Sequence, residues 1–218
     1  MKLFKARKVA VGAIGVFVLL AATASTVYAV HVNDAGDGFS RPAGTVEKGA
    51  LKSGTNFTAV GTIDSSPITV TCTTFSTSGK IPSSGLKIKI GPPTISGCTD
   101  SLGGTDTVHT NATNGSWALT EIDATTGDNS EPNSGDGAKL TIPKAGATFQ
   151  SSILGAACVI VVAPNGTASV TGTYNDKSTM TFSNVSFPTA PSATSTCTAS
   201  SSSTSSATEV ISPTVHDT

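Results

Sequence analysis

Phe57-Thr58-Ala59-Val60-Gly61-Thr62-Ile63 is followed, after a short polar break, by Ile68-Thr69-Val70-Thr71-Cys72-Thr73. In the first run Phe57, Ala59, Gly61 and Ile63 alternate with Thr58, Val60 and Thr62. In the second, Ile68, Val70 and Cys72 alternate with Thr69, Thr71 and Thr73. A period of two among β-branched residues marks strands with one buried and one wet face. The pattern spreads outward from here. Leu86, Ile88 and Ile90 alternate with Lys87 and Lys89, and lysines on a wet face are also what an edge strand uses against stray pairing. Thr107–Thr110, Trp117–Ile122, Ala138–Ile142, Cys158–Ala163, Ala168–Tyr174 and Ser178–Phe187 read the same way.

Within Ser178–Phe187, Met180 and Phe182 share one parity and Val185 and Phe187 the other, which predicts a bulge near Ser183-Asn184. Cys158 to Val162 is apolar throughout and reads as a strand covered on both faces. Pro164-Asn165-Gly166 before the next strand is a hairpin signal. No capped amphipathic stretch of ten residues follows Ala29. The expectation is an all-β protein: an antiparallel sandwich or partly closed barrel of about ten strands, in a single domain over residues 45–218.

The N-terminus carries an address. Lys2, Lys5, Arg7 and Lys8 form a basic head, and Val9 to Ala22 follow without a charge. Val27-Tyr28-Ala29 then offers the small or β-branched residues a signal peptidase reads. Residues 1–29 are therefore expected to be a secretory signal peptide. The apolar run of 14 residues falls short of the ~20 that span a bilayer. Residues 30–44, polar and Gly-rich, read as a flexible lead-in.

All 14 acids lie beyond the signal peptide, while four of the 13 basic residues lie in it, so the remainder carries a net charge of −5. Such a surface argues against nucleic acid and anionic membranes as partners. The four cysteines, Cys72, Cys98, Cys158 and Cys197, all lie in the exported part, which points to two disulfides. Three connectivities are open. Cys72–Cys98 with Cys158–Cys197 is favoured, because sequence neighbours can pair within successive antiparallel units. No Cys-x-x-Cys occurs and no His stands near a Cys at zinc-ligand spacing.

Two stretches read as irregular. Thr125–Gly137 is rich in Asp, Asn, Gly, Ser and Pro. Residues 192–208 are nearly all Ser, Thr and Ala and read as an excursion within the domain, with Ala199–Ser206 expected to be exposed and poorly ordered. Val210 and Ile211 behind it are expected to pair back into the sheet.

Val70-Thr71-Cys72-Thr73 with Ser78-Gly79, then Ile95-Ser96-Gly97-Cys98-Thr99, the lone Trp in Gly115-Ser116-Trp117-Ala118-Leu119, and Cys158 before a Gly-containing turn form a wider pattern. It resembles small secreted Thr/Ser/Gly-rich two-disulfide β proteins of actinobacteria over roughly residues 55–197. The resemblance implies fold and location; that family has no assigned activity to carry over.

Candidate chemistry is sparse. Glu121 and Asp123, at i and i+2 on a strand, project from one face, as a glycosidase acid and nucleophile must. Glu121-Ile122-Asp123 is similar to the start of the Glu-x-Asp-x-x-Glu signature of jelly-roll β-glucanases. The third carboxylate is replaced by Thr126, and one Trp and two Tyr make few sugar platforms. A serine triad would need His31, His109 or His216, and no Gly-x-Ser-x-Gly elbow presents a nucleophile. Asp128, Asn129, Glu131, Asn133 and Asp136 crowd oxygen ligands into one loop, a calcium candidate whose spacing fits no EF-hand. Asn-x-Ser/Thr triplets begin at Asn56, Asn111, Asn114, Asn165 and Asn184, a number that chance supplies in so Ser/Thr-rich a chain, and no glycan is assigned. No cofactor is indicated. The leading functional expectation is a non-enzymatic secreted or envelope-associated β protein that acts through its surface as a binding or structural module, on an extracellular or cell-wall ligand. The rival is a secreted glycoside hydrolase using Glu121 and Asp123.

Overall fold

The alternating runs become strands. The computed structural model describes residues 42–83, 87–122, 136–175 and 179–212. Among them thirteen strands form and no helix. In chain order they are β1 (Val46–Leu51), β2 (Phe57–Ile63), β3 (Ser66–Lys80), β4 (Lys87–Ile90), β5 (Thr94–Asp100), β6 (Thr105–Thr110) and β7 (Trp117–Ile122). They continue as β8 (Asp136–Ile142), β9 (Ala147–Ser151), β10 (Val159–Val162), β11 (Ala168–Asn175), β12 (Thr179–Pro191) and β13 (Ser202–Ser212). All pairings are antiparallel, as expected.

Ten strands close on themselves. The order β3-β4-β7-β8-β11-β12-β10-β9-β6-β5 returns to β3 through the β3–β5 ladder. Closure removes the free edges that an open sheet would expose. The long strands β3 and β12 are the hinges of the topology. Val70 and Cys72 have partners on both sides, in β2 and β5. Strands β1 and β2 share the other edge of β3, and β13 joins them to β12. A second connection thus spans the ring between its two longest strands.

The first-read pair sets the register. β2 and β3 form a hairpin with Ile63 opposite Ser66, so Asp64 and Ser65 are its two loop residues. Both have positive φ, +48° and +67°, the geometry that matches the twist of the flanking strands. The turn is clamped from outside: Asp64 Oδ1 accepts hydrogen bonds from the Thr198 amide (2.7 Å) and the Thr198 hydroxyl (3.0 Å).

The inward residues form two clusters. One gathers Ile88, Ile90, Trp117, Leu140, Ile142, Val170, Met180, Phe182 and Phe187. The other gathers Ile63, Ile68, Val70, Ile160 and the four cysteines. The cysteines pair as Cys72–Cys98 and Cys158–Cys197. Cys72 and Cys98 stand directly opposite each other on β3 and β5. The second bridge ties the start of β10 to the segment that leads into β13. By loop-closure entropy each bridge stabilises the fold by roughly 3.5–4 kcal/mol.

Several expectations are refined. The bulge in β12 is present between Phe182 and Val185, with Asn184 at φ +50° and its amide donating to Ser206 Oγ at 2.9 Å. Lys87 and Lys89 are exposed, but β4 lies between β3 and β7 and is no edge. In β10 only Ile160 is fully buried, and its three companions are half-buried. Pro164-Asn165-Gly166 does not close a hairpin: β10 and β11 both pair with β12, at opposite ends of it. The loop crosses from one end of β12 to the other.

The largest departure is the Ser/Thr tract. From Ser202 onward it is strand β13, paired on one side with β12 and on the other with β1 and β2. Backbone hydrogen bonds on two sides replace the apolar burial that its side chains lack. Val210 and Ile211 do return to the sheet, opposite Ala50 and Gly49. The segment before β13 is held by Cys197, by Ser192 N–H to Val159 O, and by Thr196 N–H to Ala157 O.

Candidate functional site

Between the two clusters, strands of the ring together with β2 and β13 line a partly open cavity of about 130 Å³. The first cluster contributes Trp117, Leu140, Val170 and Phe187, and the second contributes Val70 with its neighbours Phe57, Val108 and Phe149. Phe57 and Phe75 stack along its wall with ring centroids 5.4 Å apart. The indole of Trp117 donates to Asn111 O at 2.8 Å, so only its apolar body needs the interior. Among the described residues no ionisable side chain lines it.

One part of the lining is polar. Thr189 on β12, Ser203 and Ser205 on β13, and Ser200 before β13 reach the cavity. Thr189 is buried and donates its hydroxyl to Ser200 O at 2.8 Å, and the Thr189 and Ser203 oxygens lie 3.3 Å apart. Gly61 on β2 faces this group. A Cβ built there would stand 2.6 Å from Ser203 Oγ, so glycine leaves the room that the hydroxyl occupies. The tract that sequence reasoning assigned to an exposed excursion therefore supplies the hydroxyl group of the interior.

A second constellation lies beside the cavity. Asp100 ends β5 directly opposite Val70, and Asp106 on β6 stands opposite Cys98 and Ser151. Asp100 is buried. Its Oδ1 accepts from the amides of Leu102 (2.8 Å) and Gly104 (2.9 Å), and its Oδ2 accepts from Ser151 Oγ (2.6 Å). Burial works against this charge, but the bonds from Ser151, Gly104, Leu102 and Asp106 together outweigh it and hold the Asp100 carboxyl below its ordinary value. Gly104 is required: a Cβ there would stand 2.6 Å from Asp100 Oδ2.

Asp106 behaves oppositely. Burial, then the charge of Asp100, push its carboxyl up to about 7, with Ser151 opposing them. Both of its oxygens are shut off from solvent, and neither meets a partner in full hydrogen-bond geometry, although Asp100 and Ser151 stand close enough to bias its titration. Two such carboxyls titrate as a pair, holding one proton between them in mild acid and losing it as pH rises through about 7. Neither lines the cavity. Their oxygens are committed to each other's surroundings, and what the pair can do is hold the β5–β6 turn in a proton-dependent way.

Sequence reasoning missed both aspartates. The available signal was parity: Cys98 and Asp100 share a face, as do Asp106 and Val108, so both acids had to point inward with core residues. The residues it did select fall elsewhere. Glu121 lies in β7 opposite Ala138, and its partner Asp123 lies outside the described residues. So do Asp128, Asn129, Glu131 and Asn133 of the calcium candidate, while Asp136 opens β8 opposite Tyr174. His109 is exposed on β6 opposite Thr148; His31 and His216 lie outside the described residues. Among the described residues no group of three or more His, Cys, Asp or Glu could hold a metal ion. Asn111 and Asn114, two of the Asn-x-Ser/Thr sites, donate their side-chain amides to Ala145 O and Lys144 O.

Compared with protein-family models, with curated proteins and with solved structures, the chain matches none of them.

Proposed function

We propose that this protein is an exported, non-enzymatic binding module whose ligand site is the cavity between its two core clusters. The observation that carries the reading is the cavity between two separate core clusters, lined by both and touched by a group of hydroxyls. Strand rings of this kind make a wall rigid enough to hold a small ligand without rearrangement. Two disulfides fit an oxidising compartment. Among the described residues no helix is long and apolar enough to cross a membrane. The basic, then apolar, N-terminal stretch ending at Ala29 is the export signal of the proposal, and the small secreted two-disulfide β proteins of actinobacteria are its proposed kin.

The test is expression of the full chain in a secreting bacterial host. The expected result is protein in the culture medium or envelope fraction that begins at Val30, and that releases a small molecule when unfolded in native mass spectrometry. Retention in the cytoplasm with an intact N-terminus would sink the export half. Protein that carries no small molecule and takes up none would sink the binding half.

A further inference from the structure

From the hydrogen-bond arithmetic at Ser203 we infer that the cavity takes an uncharged, ring-sized apolar molecule bearing one hydroxyl, a small phenol or cyclic alcohol, with that hydroxyl donating to Ser203 Oγ. The inference rests on the reading of the cavity as a ligand site and adds the ligand's class.

Size comes first. A cavity near 150 Å³ lined by aliphatic and aromatic side chains is large enough to accept benzene. At about 130 Å³ this one suits roughly six to eight non-hydrogen atoms. Charge comes next. Among the described residues none of the lining side chains is ionisable, so a charged ligand would lose its hydration with nothing to replace it.

Polarity is decided by counting protons. Thr189 has one hydroxyl hydrogen, and Ser200 O receives it at 2.8 Å. In the Thr189–Ser203 contact at 3.3 Å, Thr189 must therefore accept and Ser203 must donate. The Ser203 proton is then used as well. What Ser203 Oγ still offers to the cavity is lone pairs, so its ligand must bring a donor. An ether or a plain hydrocarbon of equal size fits the walls and leaves those lone pairs unmet. Gly61 supports the same geometry by leaving the Ser203 hydroxyl the space that a side chain at 61 would take.

Phenol and toluene are the probes, since they share ring and heavy-atom count and differ in the donor. Each is titrated into the oxidised protein by calorimetry. Cyclohexanol, transparent in the near ultraviolet, is followed through Trp117, the only tryptophan of the chain and part of the cavity wall. Saturable one-site binding of phenol and cyclohexanol is expected. In Ser203→Ala the phenol-to-toluene affinity ratio should fall by roughly three- to tenfold, the loss of one neutral hydrogen bond. If Ser203→Ala does not fold, contacts from the phenol ring to Trp117 and Phe187 in nuclear Overhauser spectra of the unaltered protein decide the matter. A ratio indifferent to Ser203→Ala, or a phenol without those contacts, overturns the inference. An endogenous ligand of another class found in the secreted protein, with no uptake of the probes, overturns the class while leaving the binding module intact. A protein that neither carries nor binds any small molecule overturns both.

Discussion

Asp106 lies diagonally across the β5–β6 ladder from Asp100, and only one of the two carboxylates is saturated with hydrogen-bond donors. Asp100 receives three bonds, while Asp106 is held out of water with none in full geometry. That inequality sets a pH dependence. The folded value of Asp106 is raised to about 7 from 3.8. Between those values the folded protein holds a proton that the unfolded chain has given up, so this group's contribution falls as pH rises from about 4 through 7. Asp100, shifted downward, adds stability that is lost only as pH falls below its ordinary range. Denaturant midpoints should therefore be lower at pH 8.5 than at pH 5.5. Asp106→Asn, neutral at both, should remove most of that difference and gain about 1–2 kcal/mol at pH 8.5. A midpoint difference that survives the substitution would exclude Asp106 as its source.

The bridges make a second prediction. Removing Cys72–Cys98 or Cys158–Cys197 as an Ala pair should each cost roughly 3.5–4 kcal/mol, mainly through the freed unfolded chain. The second loss has an extra consequence, because Cys197 anchors the segment that carries Ser200 towards the cavity. Amide hydrogen exchange after loss of Cys158–Cys197 should quicken at Thr196–Ser200 while β5 stays protected. Equal quickening in both places would contradict the local assignment.

How much of this was legible depended on whether side chains alternated in hydrophobicity. β2, β3, β4 and β12 did, down to the bulge at Asn184. β5 did not, because its inward face changes over along its length. Cys98 and Asp100 are buried on one parity, yet Ile95 reaches the cavity on the other. The change occurs at Gly97, which takes φ +63° and where an added Cβ would collide with the Thr73 hydroxyl; β3 changes over with it between Cys72 and Phe75. β13 was illegible for another reason. Ser and Thr carry no apolar signal, and its place was fixed by two neighbouring strands far away in sequence. The hydroxyl group of the cavity was hidden with it.

Ser65 should be improvable. It holds φ +67° in an exposed two-residue turn, a conformation that a Cβ disfavours and glycine does not. Ser65→Gly should raise stability by about 0.5 kcal/mol, part of the relief being offset by the greater freedom of glycine in the unfolded chain. Ser65→Val should lower it by more than 1 kcal/mol. Thermal midpoints of the two variants moving in the same direction would show that the turn does not hold this geometry in solution.

Gly172 offers the sharpest test of ring closure. It lies on β11 between β8 and β12. A Cβ there would stand 2.3 Å from the backbone oxygen of Thr181 and 2.7 Å from the ring of Phe182. The oxygen belongs to β12 and cannot swing away as a side-chain tip could. Gly172→Ala must therefore push β11 from β12 at the point where the two halves of the ring meet, and disturb Phe182 in the larger core cluster. The expected cost is about 2–3 kcal/mol. Gly166→Ala, with open space around the added methyl, should change stability by less than about 0.5 kcal/mol and serves as the matched control. Because β11 and β13 flank β12 at Thr179–Thr181, amide exchange in Gly172→Ala should quicken at those three residues and at Val210 opposite Thr179. Protection unchanged at these positions, together with unchanged stability, would mean that β11 does not close the ring against β12.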